Sequence, residues 1–315
     1  MEQVIINCKN KLKVNGYTYI DLLDYEFVDK KDLKSVKKRC LKYLYKYFTD
    51  RGLAEKDIKL DFKKAKNDNQ YFKQPSYSLM FKAMYGHKKK NGDFYINTRK
   101  PAIAKNDGMG QATSQPKVYH DKKLIKFKKN LRPIFNGLYG TNSHLHLSRF
   151  GLKLPYKESK DMIIHTDMIY HKDFKNKLPK RRKINDPISY APYSDDGVDQ
   201  RLQSLLCLSD SDSGWYGYEK SHLKFKDIGN GINWPGMTKA PQPIPKKILE
   251  ELGLKRVDIK SKVGRLIIWN CGTVHGNSKC RNTTPRLVLY VNYQPNIENT
   301  SADKVVALGN QPIEI

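Results

Sequence analysis

Met162-Ile-Ile-His-Thr-Asp-Met-Ile-Tyr170 is an apolar run interrupted only by His165, Thr166 and Asp167. Alternate side chains of an extended strand face the same way, so His165 and Asp167 would project together into one space. A hydrogen-bonded histidine and carboxylate inside a β-core produce the same pattern. A chain with 8 histidines also shows His-x-Asp by chance. The reading therefore depends on what else in the chain can reach that space. His171 would share the face if the strand continued, but Tyr170-His-Lys-Asp173 has the composition of a strand exit.

Working outward, Val263-Gly-Arg-Leu-Ile-Ile-Trp-Asn270 reads as a turn leading into a buried strand, followed by Cys271-Gly-Thr-Val-His275-Gly276. A histidine just past a strand end is placed to come back to the first pair. Two imidazoles and a carboxylate make the facial triad of non-haem Fe(II) sites, which leaves coordination positions open. His165, Asp167 and His275 are thus candidate metal ligands, far apart in the chain and brought together by the fold. Eleven residues after His275, Asn282-Thr-Thr-Pro-Arg286 runs straight into Leu-Val-Leu-Tyr-Val-Asn-Tyr293. An arginine heading an apolar strand, with no acid near it in sequence, calls for a carboxylate or phosphate that its planar fork can grip. Arg281 lies in a polar, turn-like run and is expected to be exposed.

The surrounding chain has two characters. Residues 31–48 read as a helix, with Leu33, Val36, Cys40, Leu44 and Tyr47 at three- and four-residue steps and Asp29 or Asp32 available as a cap. Residues 121–138 read as another, with Pro133 placed to kink or split it. After Gly140, short strand-like runs alternate with turn residues: His144–Phe150, Asp161–Tyr170, Arg201–Ser209, Arg265–Trp269 and Arg286–Tyr293. A short helical run is expected near Lys246–Leu252. The expectation is one domain over residues 1–315, mainly β with flanking helices. Residues 1–139 would be helical and irregular, packed on a β-core at 140–295, with a C-terminal tail at 296–315.

The ordered set His165-x-Asp167, His275 and Arg286 resembles the Fe(II)/2-oxoglutarate dioxygenases, most closely the phytanoyl-CoA dioxygenase-like branch, including versions found in large DNA viruses. Leu205-Leu-Cys-Leu-Ser-Asp210, Gly214-Trp-Tyr-Gly217 and Ser221-His222 look like that family's strand, glycine turn and Ser-His segment. Leu138-Tyr-Gly-Thr141 through His144–Ser148 looks like its approach to the first core strand. The resemblance spans roughly residues 100–295. It implies a double-stranded β-helix (jelly-roll, cupin-like) core, Fe(II) held by His165, Asp167 and His275, and 2-oxoglutarate as co-substrate with O2. Arg286 would grip the far carboxylate of 2-oxoglutarate. The activity implied is hydroxylation coupled to oxidative decarboxylation of 2-oxoglutarate. Two positions depart from the pattern. Asn277 stands where a serine often follows the distal histidine, leaving Ser278, one step later, as the secondary co-substrate contact. Lys220 replaces the glycine before Ser-His.

Charge supplies the competing reading. Lys and Arg number 59 against 32 Asp and Glu, a formal net charge of +27. Such a field attracts polyanions. The alternative is a basic structural or nucleic-acid-binding protein, a virion component for example, that uses this fold without catalysis. The lysines are spread along the chain, densest at 88–90, 122–129 and 180–183, so weak non-specific association and an anionic substrate are the expectations. His144 and His146 lack a carboxylate and read as a surface pair; His222 reads as a turn residue, and Trp215 and Trp234 as core or lid packing. The 5 scattered cysteines contain no CxxC, which points to free thiols in a reducing, intracellular compartment. Cys271 and Cys280 flank His275 but lack the second pair a structural zinc site needs. No run approaches the ~20 apolar residues of a membrane span, and the N-terminus does not read as a secretory signal.

Overall fold

The computed structural model describes residues 2–58, 60, 80, 83, 87–88, 94–95, 109–111, 121–147, 150–155, 160–167, 202–232, 242–280 and 284–295. Helix α1 (Glu2–Asn15) buries Ile5, Cys8 and Leu12, one residue per turn. It leads into strand β1 (Tyr17–Asp21). Helix α2 (Lys30–Asp50) starts at Asp29, whose side chain accepts from the Asp32 backbone N–H at 2.8 Å. It buries Leu33, Val36, Cys40, Leu44 and Phe48. Strands β2 (His87–Lys88) and β3 (Phe94–Tyr95) pair with each other, and β4 (Met109–Gln111) precedes the next helices.

Helices α3 (Lys122–Asn130) and α4 (Arg132–Tyr139) divide the single helix expected over 121–138. Pro133 lies in the first turn of α4, where its missing N–H leaves no helical bond unmade. Gly140, at φ 72°, ends α4 in the left-handed conformation that glycine adopts without strain. Asp121 caps α3 through the N–H groups of Lys123 and Leu124, at 3.0 and 3.1 Å. The same carboxylate meets Arg39 and Tyr43, which joins α3 to α2.

The remaining strands are β5 (Ser143–Leu147), β6 (Phe150–Lys153), β7 (His165–Thr166), β8 (Leu202–Cys207), β9 (Ser211–Tyr218), β10 (Gln242–Pro243), β11 (Arg256–Ser261), β12 (Arg265–Asn270), β13 (His275–Asn277), β14 (Arg286–Tyr290) and β15 (Asn292–Pro295). Helices α5 (Phe225–Gly231) and α6 (Lys246–Glu251) lie between β9 and β11 in the chain. One sheet has six strands in the order β1-β12-β8-β14-β6-β4; a second has five, β10-β7-β13-β9-β11. Every pairing is antiparallel. From β6 to β9, and again from β11 to β14, each successive strand crosses to the other sheet.

Strand parity sorts the side chains into layers. Leu206, Leu208, Leu266, Ile268, Leu287 and Leu289 leave the six-stranded sheet on the side of α1, α2, α3 and α4 and join one large core with them. Their neighbours Leu205, Cys207, Ile267, Val288 and Tyr290 turn the other way and meet Trp215 and Ile259 of the five-stranded sheet. Tyr216, Tyr218 and Val274 cover the far side of the five-stranded sheet, against Ile228 of α5 and Leu249 of α6. The protein is therefore mainly antiparallel sheet with flanking helices, as the strand-turn pattern predicts.

Three boundaries differ from the sequence expectation. The first 139 residues are more than a helical cover, because β1 and β4 are the edge strands of the six-stranded sheet. β1 runs in register against β12 from Tyr17↔Trp269 to Asp21↔Arg265, and Arg265 grips the Asp21 carboxylate with two bonds of 2.7 and 2.9 Å. The strand expected over 286–293 breaks at Val291, and β15 pairs with β5 in a separate ladder. Of the strand expected over 161–170, the regular part is His165–Thr166; residues 168–170 lie outside the described residues, as do the tail at 296–315 and the lysines at 180–183. Among the described residues no helix is long and apolar enough to cross a membrane.

Candidate metal centre and its anion pocket

β7 carries His165 within the run expected as a strand, but its regular part is only His165–Thr166. β13 lies beside it, with His275 directly opposite His165. The two rings are 4.5 Å apart, centroid to centroid. Asp167 follows β7 and turns its carboxylate to both: Oδ2 is 3.3 Å from Nε2 of His275 and Oδ1 is 3.8 Å from Nε2 of His165. The three ligand atoms all lie within 4.8 Å of one another. Among the described residues this is the one such group of three histidine, cysteine or acidic side chains. Cys271 and Cys280 are buried thiols outside it, and neither is in a disulfide among the described residues.

The second ring nitrogens settle which atoms face the centre. Nδ1 of His165 lies 2.6 Å from the carbonyl oxygen of Ile163, and Nδ1 of His275 lies 2.9 Å from that of Thr273. A carbonyl only accepts, so each Nδ1 carries a proton and donates it. In a neutral ring Nε2 then presents its lone pair, as in a metal-ligating histidine oriented by a backbone acceptor. Burial, and next the nearby His275 ring, lower the pKa of His165 to about 4, against a smaller opposing pull from Asp167. Burial alone would raise the Asp167 carboxyl; contacts with His275, His165 and Gln203 outweigh it and hold the group well below the usual carboxylate range. The side chain of Asp167 is 26% exposed against 5% for each histidine, so the centre opens on the carboxylate side.

Aromatic packing fixes the distal histidine. The Trp215 indole lies nearly parallel to the His275 ring, at 6.1 Å and 17°, and Trp269 is 5.1 Å away. Trp215 reaches this place by folding across Gly217, its neighbour on the same face of β9. A Cβ at position 217 would come within 2.1 Å of the indole.

Arg286 is fully buried on β14. It alternates in phase with Val288 and Tyr290, which places it on the inter-sheet side with the triad. Its Nη1 donates to Oδ1 of Asn277 at 2.5 Å, while Nε and Nη2 have no hydrogen-bond partner among the described residues. Asn277 shares the inner face of β13 with His275, two residues away, so one short strand links the metal ligand to the cation. Gln203 Oε1 and the indole N–H groups of Trp215 and Trp269 are also buried without hydrogen-bond partners among the described residues. Buried polar atoms left unpaired are uncommon, and those of Arg286, Gln203, Trp215 and Trp269 belong to residues on the facing sides of the two sheets.

Ser278 falls on the opposite face from the role expected of it. Its Oγ accepts from the Gly214 N–H at 2.7 Å and tethers β13 to β9. Asn277 holds the position that faces the arginine, because strand parity gives inward placement to 275 and 277 and denies it to 278. His222 sits in a short turn with Nε2 3.1 Å from the Lys13 carbonyl oxygen, as a packing residue of the α1–β1 junction. His144 lies on β5, outside the triad's strands. His171, Trp234 and Arg281 lie outside the described residues. Sequence reasoning missed Gln203, Trp269, Asn277 and Lys153. Lys153 carried a signal of the same kind as Arg286, since it ends the apolar stretch Phe150-Gly-Leu-Lys153 and is fully buried opposite Arg286.

No protein-family model and no curated protein sequence matches the chain. Solved structures do resemble it. The non-haem α-ketoglutarate-dependent carbocyclase SnoK of nogalamycin biosynthesis superposes with a TM-score of 0.52 at 13% identity, over 98% of this chain and 93% of its own. The epimerase SnoN, solved with Fe3+, α-ketoglutarate and nogalamycin RO, gives 0.50 at 12% identity, over 94% and 85%. At such identities the likeness is one of fold, and it extends over nearly the whole chain.

Proposed function

We propose that this protein is an Fe(II)- and 2-oxoglutarate-dependent oxygenase, a hydroxylase of the phytanoyl-CoA dioxygenase-like branch, whose two sheets form a double-stranded β-helix. The observation that carries the reading is the sharing of one inter-sheet space by two kinds of site. Two imidazole nitrogens and a carboxylate converge there, and a buried arginine with two nitrogens unpaired among the described residues lies on the same inner surface. The donor set suits a first-row divalent ion with open positions. The unpaired guanidinium suits a carboxylate, since a buried cation is tolerated only when an anion or water meets it.

In this reading His165, Asp167 and His275 hold the metal, and Ile163 and Thr273 keep the two rings oriented through their carbonyl oxygens. Arg286, braced by Asn277, binds the distal carboxylate of 2-oxoglutarate and so sets how far the 2-oxo acid end reaches toward the triad. Gln203 steadies the Asp167 carboxylate. Trp215 and Trp269 wall the space and exclude water from it. The bound metal with O2 supplies the oxidising chemistry, in which 2-oxoglutarate loses CO2 to become succinate while the substrate is oxidised. The direct test is anaerobic loading with Fe(II) and 2-oxoglutarate, followed by exposure to O2. Succinate formation that His165→Ala abolishes is the expected result. Failure of the folded protein to bind Fe(II) or Ni(II) sinks the proposal.

A second property concerns the charge. Lys30, Lys34, Lys38 and Lys42 repeat at every fourth residue on the exposed side of α2 and make no ion pair among the described residues. Like charges at this spacing disfavour a helix slightly. On α6, by contrast, Lys246 pairs with Glu250 at 2.7 Å and Lys247 with Glu251 at 3.7 Å. We propose weak, sequence-independent association of the α2 stripe with nucleic-acid phosphates, strong at low salt and largely lost near physiological ionic strength through counterion release. Fluorescence anisotropy of a labelled oligonucleotide across a salt series measures it. Salt-resistant or sequence-selective binding would place nucleic acid ahead of catalysis as the protein's main business.

A further inference from the structure

We propose that Tyr216 is a positioning residue for His165, acting on it through the backbone of the chain that enters β7. This rests on the reading of His165 as a metal ligand. β7 has only two regular residues, His165–Thr166, so a ladder does little to fix the segment before it. That segment is held piecewise instead. The Met162 N–H donates to the Asn277 carbonyl at 2.8 Å. Three successive carbonyls then meet three different donors. Met162 takes the Tyr216 hydroxyl at 2.6 Å, Ile163 takes Nδ1 of His165 at 2.6 Å, and Ile164 takes the Ile244 N–H at 2.8 Å. Peptide units are planar, and each residue has only two soft dihedrals. Pinning the units on either side of the Ile163 carbonyl leaves it little freedom, and that carbonyl sets how the His165 ring is turned.

The surroundings of Tyr216 suit this reach. It is fully buried on β9, directly opposite Gly276 of β13. Its ring passes over that glycine, where a Cβ would stand 2.4 Å from the hydroxyl oxygen. The position between His275 and Asn277 must therefore stay small for Tyr216 to cross β13 and reach Met162. Burial first, and then the Asp161 charge, raise the phenol above its ordinary value against the pull of Arg256, so the hydroxyl keeps its proton. A carbonyl only accepts, so the hydroxyl donates. The Arg256 guanidinium lies over the ring, 3.9 Å from its centre, and is held by Asp161 and Asp258, each at 2.6 Å. Asp161 also accepts the Lys279 N–H at 2.8 Å, so one bracket holds both the ring and the start of the segment. Trp215 and Tyr216, adjacent on β9, thus serve the two histidines from opposite faces of the sheet. Trp215 packs on the His275 ring directly, and Tyr216 acts on His165 through the backbone. A Tyr216 that merely packed would serve only the outer layer it shares with Tyr218 and Ile228.

The test is Co(II) binding to the metal-free, full-length protein, with affinity read by calorimetry and ligand geometry by the visible absorption bands of the bound ion. Tyr216→Phe removes the hydroxyl and keeps the ring. It should weaken Co(II) binding about tenfold, the lower end of what groups behind a metal ligand contribute, and it should shift the bands. Ser213→Ala is the control. Ser213, also on β9, donates to the Ser278 carbonyl at 2.8 Å, a tether of the same kind that does not lead to His165. Each variant loses one hydroxyl-to-carbonyl bond, but Ser213→Ala should bind Co(II) within about twofold of wild type. Unchanged affinity or unchanged bands in Tyr216→Phe would overturn the proposal, as would an equal loss of affinity in Ser213→Ala. If Tyr216→Phe does not fold, Arg256→Gln, at the partly exposed edge of the bracket, decides. It should weaken Co(II) binding about threefold, the scale of a cation–π contact, and no loss would overturn the proposal. Failure of the underlying reading looks different: wild-type protein would then not bind Co(II) at all, which sinks both.

Discussion

The two faces of the six-stranded sheet differ in kind. On the helix side, Leu206, Ile268, Leu287 and Leu289 are fully buried in an apolar core that runs from α1 to β15. On the inner side the same strands present Gln203, Trp269 and Arg286, each with a buried polar atom that has no hydrogen-bond partner among the described residues. One face is given to apolar packing; in the proposed reading the other is completed by a ligand. Period-two alternation makes this division possible, because one strand can serve stability with one alternate set of positions and chemistry with the other.

The largest effect expected from breaking this contrast lies at the triad. Asp167→Ala should reduce Ni(II) or Fe(II) affinity by more than about a hundredfold, beyond the loss typical of groups that merely support a ligand. Its thermal midpoint without metal should hardly move, since the residue packs little apolar surface. Next comes the opposite face of the same sheet. Leu289→Ala should lower unfolding free energy by about 3 kcal/mol in a urea titration and leave metal affinity within error. Metal loss comparable to that of Asp167→Ala would show that the two faces are not independent. Arg286→Met should raise the anaerobic Kd for 2-oxoglutarate steeply, yet leave the ligand-free protein as stable as wild type or more so, because replacing a buried unpaired cation by an apolar side chain removes a desolvation penalty. A marked loss of stability would mean that the arginine has a structural partner.

Acid should have a graded effect. His165 binds a proton only near pH 4 in the folded protein and near the ordinary histidine value of 6.5 when unfolded. Between those values the unfolded chain holds more protons, so stability rises with pH there. The contribution of the neutral ring is therefore whole above about pH 6.5 and disappears as pH falls toward 4. Urea midpoints of the metal-free protein at several pH values measure it, and His165→Asn should flatten the slope in that window. Smallest of all, Lys246→Ala on the exposed side of α6 should leave the urea midpoint almost unchanged, because solvent screens a helical ion pair on the surface.

His165, Asp167, His275 and Arg286 were legible from local signals alone: polar residues of the right chemistry placed inside apolar, strand-like runs. The same logic marked the β-rich half, the helix that became α2, and the proline that separates α3 from α4. Parity along a strand and spacing along a helix are consequences of neighbouring residues, so they can be read without knowing the fold. Register cannot be read this way. That His275 lies opposite His165, that Arg286 lies opposite Lys153, and that Asn277 rather than Ser278 turns inward depend on how strands distant in the chain align. A slip of one residue would have reversed each of those placements. The recruitment of β1 to the sheet edge is likewise decided by what it pairs with, since five residues of alternating pattern have no fixed partner until β12 and the Arg265–Asp21 contact supply one. The sequence by itself determined which side chains could bind a metal and an anion. The pairing of strands across the two sheets decided that these side chains meet in one place, because hydrogen-bonded register, and not chain proximity, sets which buried side chains face one another.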